Sequence, residues 1–239
     1  MEITTLSSDV RPTCAAIVCA YNEEKTLANL LDNLLASPYL DEIIVVNDGS
    51  TDQTAAILDH YAWKTEIQAV HLPGNHGKGY ALAEGISRAR SEALLFIDAD
   101  LQNWHCGYEL DLLRPLLQDQ ADMVIGYPIE GSDLFEPVDP LGLLHWISGE
   151  RAVWRRDALP LVELIRDSRF GVETHINLHY RQSRQRVQFV RLNNLKHPIK
   201  LQKSSLLPAL RGYAQEGAEI LQTCGYWTRK MVRGWVENW

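Results

Sequence analysis

Between residues 14 and 126 the chain alternates short apolar runs with longer stretches of helical spacing, a rhythm that few folds accommodate. The apolar runs lie at 14–20, 42–47, 67–71, 93–97 and 122–126, rich in Ile, Val and Leu and bounded by turn residues. Between them, segments near 23–36, 51–62, 78–90 and 107–118 have helical spacing; Leu27, Leu30, Leu31, Leu34 and Leu35 form one apolar stripe. Ser50 or Thr51 is expected to cap the second helix, with Asp52 favouring its first turn. Such alternation predicts an α/β fold, a mostly parallel sheet sandwiched by helices. Ligands on such sheets bind at the carboxyl ends of the strands.

After Gly126 the pattern changes. Residues 128–142 carry Pro128, Gly131, Pro137, Pro140 and Gly142 without periodicity, and a mobile loop over 128–146 is expected. Helices are expected at 157–167 and 172–184, a strand at 187–192, and C-terminal helices at 205–222 and 226–237. The division is 1–127, 128–204 as a second half of the same domain, and 205–239 as a helical extension. A formal charge of −8 argues against general nucleic-acid binding, which needs a basic face. Cys14, Cys19, Cys106 and Cys224 form no C-x-x-C pair, so reduced thiols in a cytoplasmic setting are expected. With no run of 18 apolar residues and no basic-then-apolar signal segment, a protein that is neither secreted nor membrane-spanning is expected, with peripheral contact at a membrane's inner face left open.

The polar clusters fall at the carboxyl ends of the predicted strands. The run Leu94-Leu95-Phe96-Ile97-Asp98-Ala99-Asp100 ends in two carboxylates which an extended backbone places on one face. Hard oxygen ligands of this kind suit Mg²⁺ or Mn²⁺. The first strand runs into Tyr21-Asn22-Glu23-Glu24, and the second into Asn47-Asp48-Gly49-Ser50-Thr51-Asp52. The third helix opens at Asn75-His76-Gly77-Lys78-Gly79. The last is not a Walker loop, since Leu72 stands at the first glycine position and Gly79 at the Ser/Thr position. Taken singly, each cluster also reads as ordinary turn and cap chemistry. His175 and His179 share a helical face, but Ile176 replaces the glutamate of a zinc-protease motif.

As a set, these stretches over 14–126 resemble the nucleotide-sugar half of family 2 type glycosyltransferases, which have the GT-A fold. The resemblance implies a nucleoside-diphosphate sugar donor, UDP-glucose by default, and a metal on Asp98-Ala99-Asp100. It implies a donor-binding set of Ala20, Tyr21, Asn22, Glu23, Asp48, Gly77, Lys78, Asp98 and Ala99. Within that set Asp48 lies near the base, Glu23 near base or ribose, Asp98 near ribose or sugar, and Lys78 near the nucleotide, while Asp100 binds the metal. Residues 147–200 more weakly resemble the acceptor half of glucosyl-3-phosphoglycerate synthases, through Ser148-Gly149-Glu150-Arg151, Phe170-Gly171-Val172-Glu173 and Asn193-Asn194-Leu195-Lys196-His197. That likeness implies His197 as a second metal ligand and Gly149, Arg151 and Asn194 at the acceptor.

The resulting expectation is metal-dependent hexosyl transfer to an acceptor hydroxyl or phosphate, with Asp98, Asp100, Glu173 and Glu150 as the catalytic carboxylates. Inversion requires a carboxylate base, for which Glu150 and Glu173 are the candidates; retention, implied by the synthase likeness, does not. Arg181, Arg184, Arg186, Arg191, Lys196, Lys200 and Lys203 form an acid-free basic stretch suited to a phosphorylated acceptor or anionic lipid. The aromatic and basic residues of 226–239 suit a membrane surface, intramolecular packing or a homodimer contact. Rival readings are a lipid- or polyprenyl-phosphate acceptor, a non-catalytic nucleotide-sugar-binding protein, and a sugar-phosphate nucleotidyltransferase. The last would need a Gly-rich first loop, and 14–24 contains no glycine.

Overall fold

A computed structural model describes residues 11–129, 146, 148–168 and 171–196. Among the described residues seven strands form one sheet in the order β3-β2-β1-β4-β6-β5-β7. The strands are β1 Cys14–Ala20, β2 Glu42–Asn47, β3 Ile67–His71, β4 Ala93–Asp98, β5 Met123–Ile129, β6 Arg151–Trp154 and β7 Val187–Asn193. Helices α1 Leu27–Leu35, α2 Thr54–Tyr61, α3 Lys78–Arg88 and α4 Cys106–Leu117 alternate with the first five strands, as the apolar rhythm predicts. Pairing is parallel except at β6, which runs antiparallel to both β4 and β5.

Strand alternation divides the core between the two faces. Cys14, Ala16, Val18 and Ala20 of β1 face the layer built from the α1 leucines and α4. Ala15 and Ile17 face the opposite layer, where α3 packs with residues 158–180. Gly85 lets α3 lie close to β1, since a Cβ there would run into the Ile17 side chain.

Three local readings are corrected. The four-residue strand β6, which opens on a charged residue, has no apolar run to announce it. The single helix expected over 157–167 is broken into α5 Arg155–Ala158, a 3-10 turn Leu159–Leu161 and α6 Val162–Arg166. Pro160 sits at the break, where its missing N–H and fixed φ interrupt the regular ladder. Helix α2 starts at Thr54, and Asp52 rather than Ser50 or Thr51 takes its first amide, with Asp52 Oδ1 accepting from Thr54 N at 2.9 Å. Helix α7 Val172–Gln182 and β7 lie where the sequence puts them. The loop expected over 128–146 lies almost wholly outside the described residues, and the helices at 205–222 and 226–237 entirely so. Among the described residues no helix is long and apolar enough to cross a membrane.

Substituting Gly85→Ala tests the close approach of α3 to β1. Overpacking against a β-branched core side chain outweighs the gain in helix propensity, so a loss of about 1–2 kcal/mol is expected. Chemical denaturation should register it as a lower midpoint with an unchanged slope.

Candidate active site

Parallel pairing brings the carboxyl ends of β1, β2 and β4 side by side. Ala20 pairs with Asn47, and Cys19 with Asp98, so the turns that follow these strands share one edge of the sheet. The first two turns brace each other. Asn22, held at φ 58°, donates its N–H to Ser50 Oγ at 2.9 Å and accepts from Thr51 N at 2.8 Å through its side chain. Glu23 N donates to Thr54 Oγ1 at 2.8 Å, and Gln53 N to Glu24 Oε2 at 3.0 Å. Tyr21 stands exposed above this brace.

Asp48 is 3% exposed, and its two carboxylate oxygens each accept a backbone N–H, from His76 and Gly77, at 2.8 Å. A direct meeting with a base, the expectation for Asp48, therefore competes with its visible task of anchoring the 75–77 loop. Gly49 at φ 65° lies against the backbone of Gly74, which leaves no room for a side chain. Gly77 at φ 95° turns the chain into α3, whose first residue is Lys78.

The Lys78 ammonium is the electrostatic centre of the edge. It lies 2.6 Å from Asp98 Oδ1 and 2.7 Å from Glu173 Oε1. Burial works against its charge, but the attraction of Asp98 and Glu173 prevails and holds it well above the ordinary lysine range. Glu173 sits in the first turn of α7, so an ion pair joins the two halves of the chain. Gly149 completes the pocket, because a Cβ there would collide with the Asp98 carboxylate. Cys19, Lys78, Asp98, Gly149, Arg151 and Glu173 line the resulting crevice. Burial pushes the Cys19 thiol up to about 12, against the pull of Lys78, so it stays protonated.

Asp100 is half-buried in the turn after β4. That turn is fixed from behind by Thr26, whose hydroxyl donates to the Ala99 carbonyl at 2.7 Å. Beyond it, Gln102 and Lys196 form an antiparallel bridge, with Gln102 N donating to Lys196 O at 3.0 Å and Lys196 N to Gln102 O at 3.2 Å. The chain just before His197 is thereby pinned beside the Asp100 turn, while His197 lies outside the described residues. Among the described residues no group of three or more His, Cys, Asp or Glu side chains converges as a metal cage. With Asp98 on Lys78, a metal here would draw on chiefly one protein carboxylate, Asp100. That fits Mg²⁺ or Mn²⁺ taking its remaining ligands from substrate phosphate and water.

Two of the expected site residues are buried. Glu150 is fully buried and accepts from Ser148 Oγ at 2.7 Å. Arg151, 1% exposed, donates to Ser148 O at 2.9 Å, Trp146 O at 2.8 Å and Asn177 Oδ1 at 2.6 Å. Burial lowers its pKa despite nearby carboxylates, and its fork holds the chain entering β6. Asn194 is exposed at φ 68°, its carbonyl accepting from Asn103 Nδ2 at 3.4 Å near the 102–196 bridge. The basic stretch is thinned as well. Arg186 is paired with Asp119 and Asp122, and Arg191 Nε donates to Tyr127 Oη at 2.9 Å. Lys200 and Lys203 lie outside the described residues. Thr26 and Asn177 went unnoticed in the sequence because their partners are distant along the chain.

A model of glycosyl transferase family 2 matches residues 15–141, more than half of the 239-residue chain. The chain is 43% identical over 96 residues to a dolichyl-phosphate beta-glucosyltransferase of Trichomonas vaginalis, covering 35% of this chain and 28% of that protein. It is 39% identical over 85 residues to a poly-beta-1,6-N-acetyl-D-glucosamine synthase of Staphylococcus epidermidis, covering 35% and 21%. These matches span less than a third of either relative's length. A crystal structure of glucosyl-3-phosphoglycerate synthase from Mycobacterium tuberculosis, in complex with Mn²⁺, UDP and phosphoglyceric acid, superposes with a TM-score of 0.67 at 25% identity. That match covers 90% of this chain and 79% of the synthase.

Replacing Lys78 by Met would leave Asp98 and Glu173 facing each other without a cation. Both carboxyls then resist ionisation in the fold, so their folded pKa values rise above the unfolded ones and stability falls as pH rises through that range. Lys78→Met should cost about 2–3 kcal/mol near neutral pH, a buried-pair loss discounted for partial exposure. The deficit should shrink toward about pH 4–5 as the carboxyls protonate. Thermal unfolding of both chains across this range measures it.

Proposed function

The chain belongs to glycosyl transferase family 2 and has the GT-A fold, and we propose that it moves a hexosyl group from a nucleoside-diphosphate sugar to an acceptor oxygen. The observation that carries this reading is the Lys78 ammonium held between Asp98 and Glu173 at the strand ends beside the braced turns of β1 and β2, with Asp100 in the turn that follows Asp98. UDP-glucose is the proposed donor, supported by likeness to a synthase crystallised with UDP and, in a related complex, UDP-glucose.

In this reading Ala20, Tyr21, Asn22 and Glu23 form the nucleoside wall. Asp48 acts on the same pocket through the His76–Gly77 loop that it holds. Asp98 and Ala99 lie by the ribose and sugar, with Gly149 and Asn194 on the acceptor side. A divalent ion, Mg²⁺ or Mn²⁺, would be held by Asp100 with His197 and would supply Lewis-acid stabilisation of the departing diphosphate. Lys78 adds a fixed positive charge within the crevice, positioned by Glu173 on one side and Asp98 on the other. Because Glu173 is engaged by Lys78 and Glu150 is buried, a transfer with retention, which needs no dedicated base, agrees best with the geometry. The acceptor is proposed to be a small phosphorylated molecule, since the synthase likeness spans 90% of the chain. A lipid phosphate is the second reading, favoured by the dolichyl-phosphate relative.

Release of nucleoside diphosphate from UDP- and GDP-sugars tests the proposal, with phosphoglycerate or polyprenyl phosphate added as acceptor and Mn²⁺, Mg²⁺ or chelator present. Turnover should require an acceptor and stop on chelation. Asp100→Asn should lose about 100-fold or more in rate with its fold intact, the scale of losing Lewis-acid stabilisation. Parental turnover by a folded Asp100→Asn chain would sink the metal role.

A further inference from the structure

His71 closes β3, directly opposite Asn47 in the parallel register with β2. Its Nδ1 lies 3.0 Å from Asn47 Nδ2, and its Nε2 lies 3.3 Å from Asp59 Oδ1 on α2. We propose that His71 is a positioning residue for the turns after β2 and before α3, and that it holds them only as the neutral imidazole protonated on Nε2. This rests on the reading of those turns as the nucleotide site.

The tautomer follows from donor and acceptor accounting. The Ser50 backbone N–H can only donate, and it meets the Asn47 side chain at 3.1 Å, so the atom it meets is the carbonyl oxygen. The other end of that amide is therefore NH₂, a donor, and the ring nitrogen it faces must offer a lone pair. The ring proton is left on Nε2, where the Asp59 carboxylate accepts it. Asn47 is itself 3% exposed, so an unmatched polar atom there is costly.

What Asn47 holds is passed along the chain. Its neighbour Asp48 donates N–H to Ala20 O at 2.9 Å and fixes the amides of His76 and Gly77, and Gly77 leads into Lys78. A second proton on His71 would set an Nδ1–H donor against the Asn47 NH₂. Flipping the amide gives no relief, since its NH₂ would then meet the Ser50 N–H. The ring must swing away or the turn must open. Imidazole is the side chain that takes up a proton between about pH 5 and 8. The groups facing the ring are the Asp59 carboxylate from α2 and the Asn47 amide from β2. His60, beside Asp59 in sequence, and His76, bonded to Asp48, contain imidazoles as well, so the test must isolate His71.

Imidazole ¹⁵N shifts of the full chain, without nucleotide, should show His71 protonated on Nε2 at neutral pH. Calorimetric binding of UDP with Mg²⁺ then compares the parent with His71→Gln, whose side-chain carbonyl accepts but does not titrate, and with His71→Leu. Between about pH 7.5 and 5.8 the parent should lose about fivefold more affinity than His71→Gln, the scale of one hydrogen bond. His71→Leu should bind about fivefold more weakly than His71→Gln at the higher pH. A proton on Nδ1, or identical pH dependence in parent and His71→Gln, would overturn the His71 inference alone. An Nε2 proton with no UDP binding by the parent at either pH would instead overturn the nucleotide reading, and with it this role for the turn. The His71→Gln arm keeps the test open even where His71→Leu fails to fold.

Discussion

The ammonium of Lys78, shared between Asp98 and Glu173, is the contact on which the rest of the site depends. It fastens the first residue of α3 to the last residue of β4 and the first turn of α7. Three charged groups at such distances would be unfavourable with any one missing, because burial penalises each charge left without its partner. Together they leave one net negative charge beside the half-buried Asp100, which suits a divalent cation and a sugar diphosphate arriving together. Asp98 is thus better described as the partner of the lysine than as an equal member of a metal-binding pair.

The sheet edge is built so that little of this can drift. The turns after β1 and β2 are cross-linked through Asn22, Ser50 and Thr51, and the turn after β4 is tied to the start of α1 by Thr26. These bonds link positions far apart in sequence but adjacent in the parallel register. A site assembled from strand ends gains its rigidity from the sheet, with the turns needing only a few such braces.

Legibility in the sequence followed the range of the interaction. The first five strands and four helices were readable because each is a long, strongly patterned segment whose burial repeats at period two or near 3.6. The Asp98-Ala99-Asp100 triplet and the Gly77-Lys78 turn were visible for the same local reason. Strand β6 was not, because Arg-Ala-Val-Trp opens on a charge and its burial is decided by neighbours on both sides. Glu150 and Arg151 were hard to place for a related reason. Both are buried, Arg151 donating to the Ser148 and Trp146 carbonyls and to Asn177, and Glu150 accepting from Ser148. No spacing rule announces such a buried network.

The reversal of β6 resolves a topological difficulty. Had β6 run parallel to β4, the residues before it would have emerged at the amino end of the sheet, far from Asp98. Running antiparallel, it sets Arg151 against Phe96, so that the segment 148–150 arrives at the carboxyl end. Gly149 then meets the Asp98 carboxylate with no side chain between them. The buried Arg151 fork fixes that entry, holding the Trp146 and Ser148 carbonyls against Asn177 of α7, the helix that also presents Glu173. Arg151 thus sets where the second half of the chain meets the first.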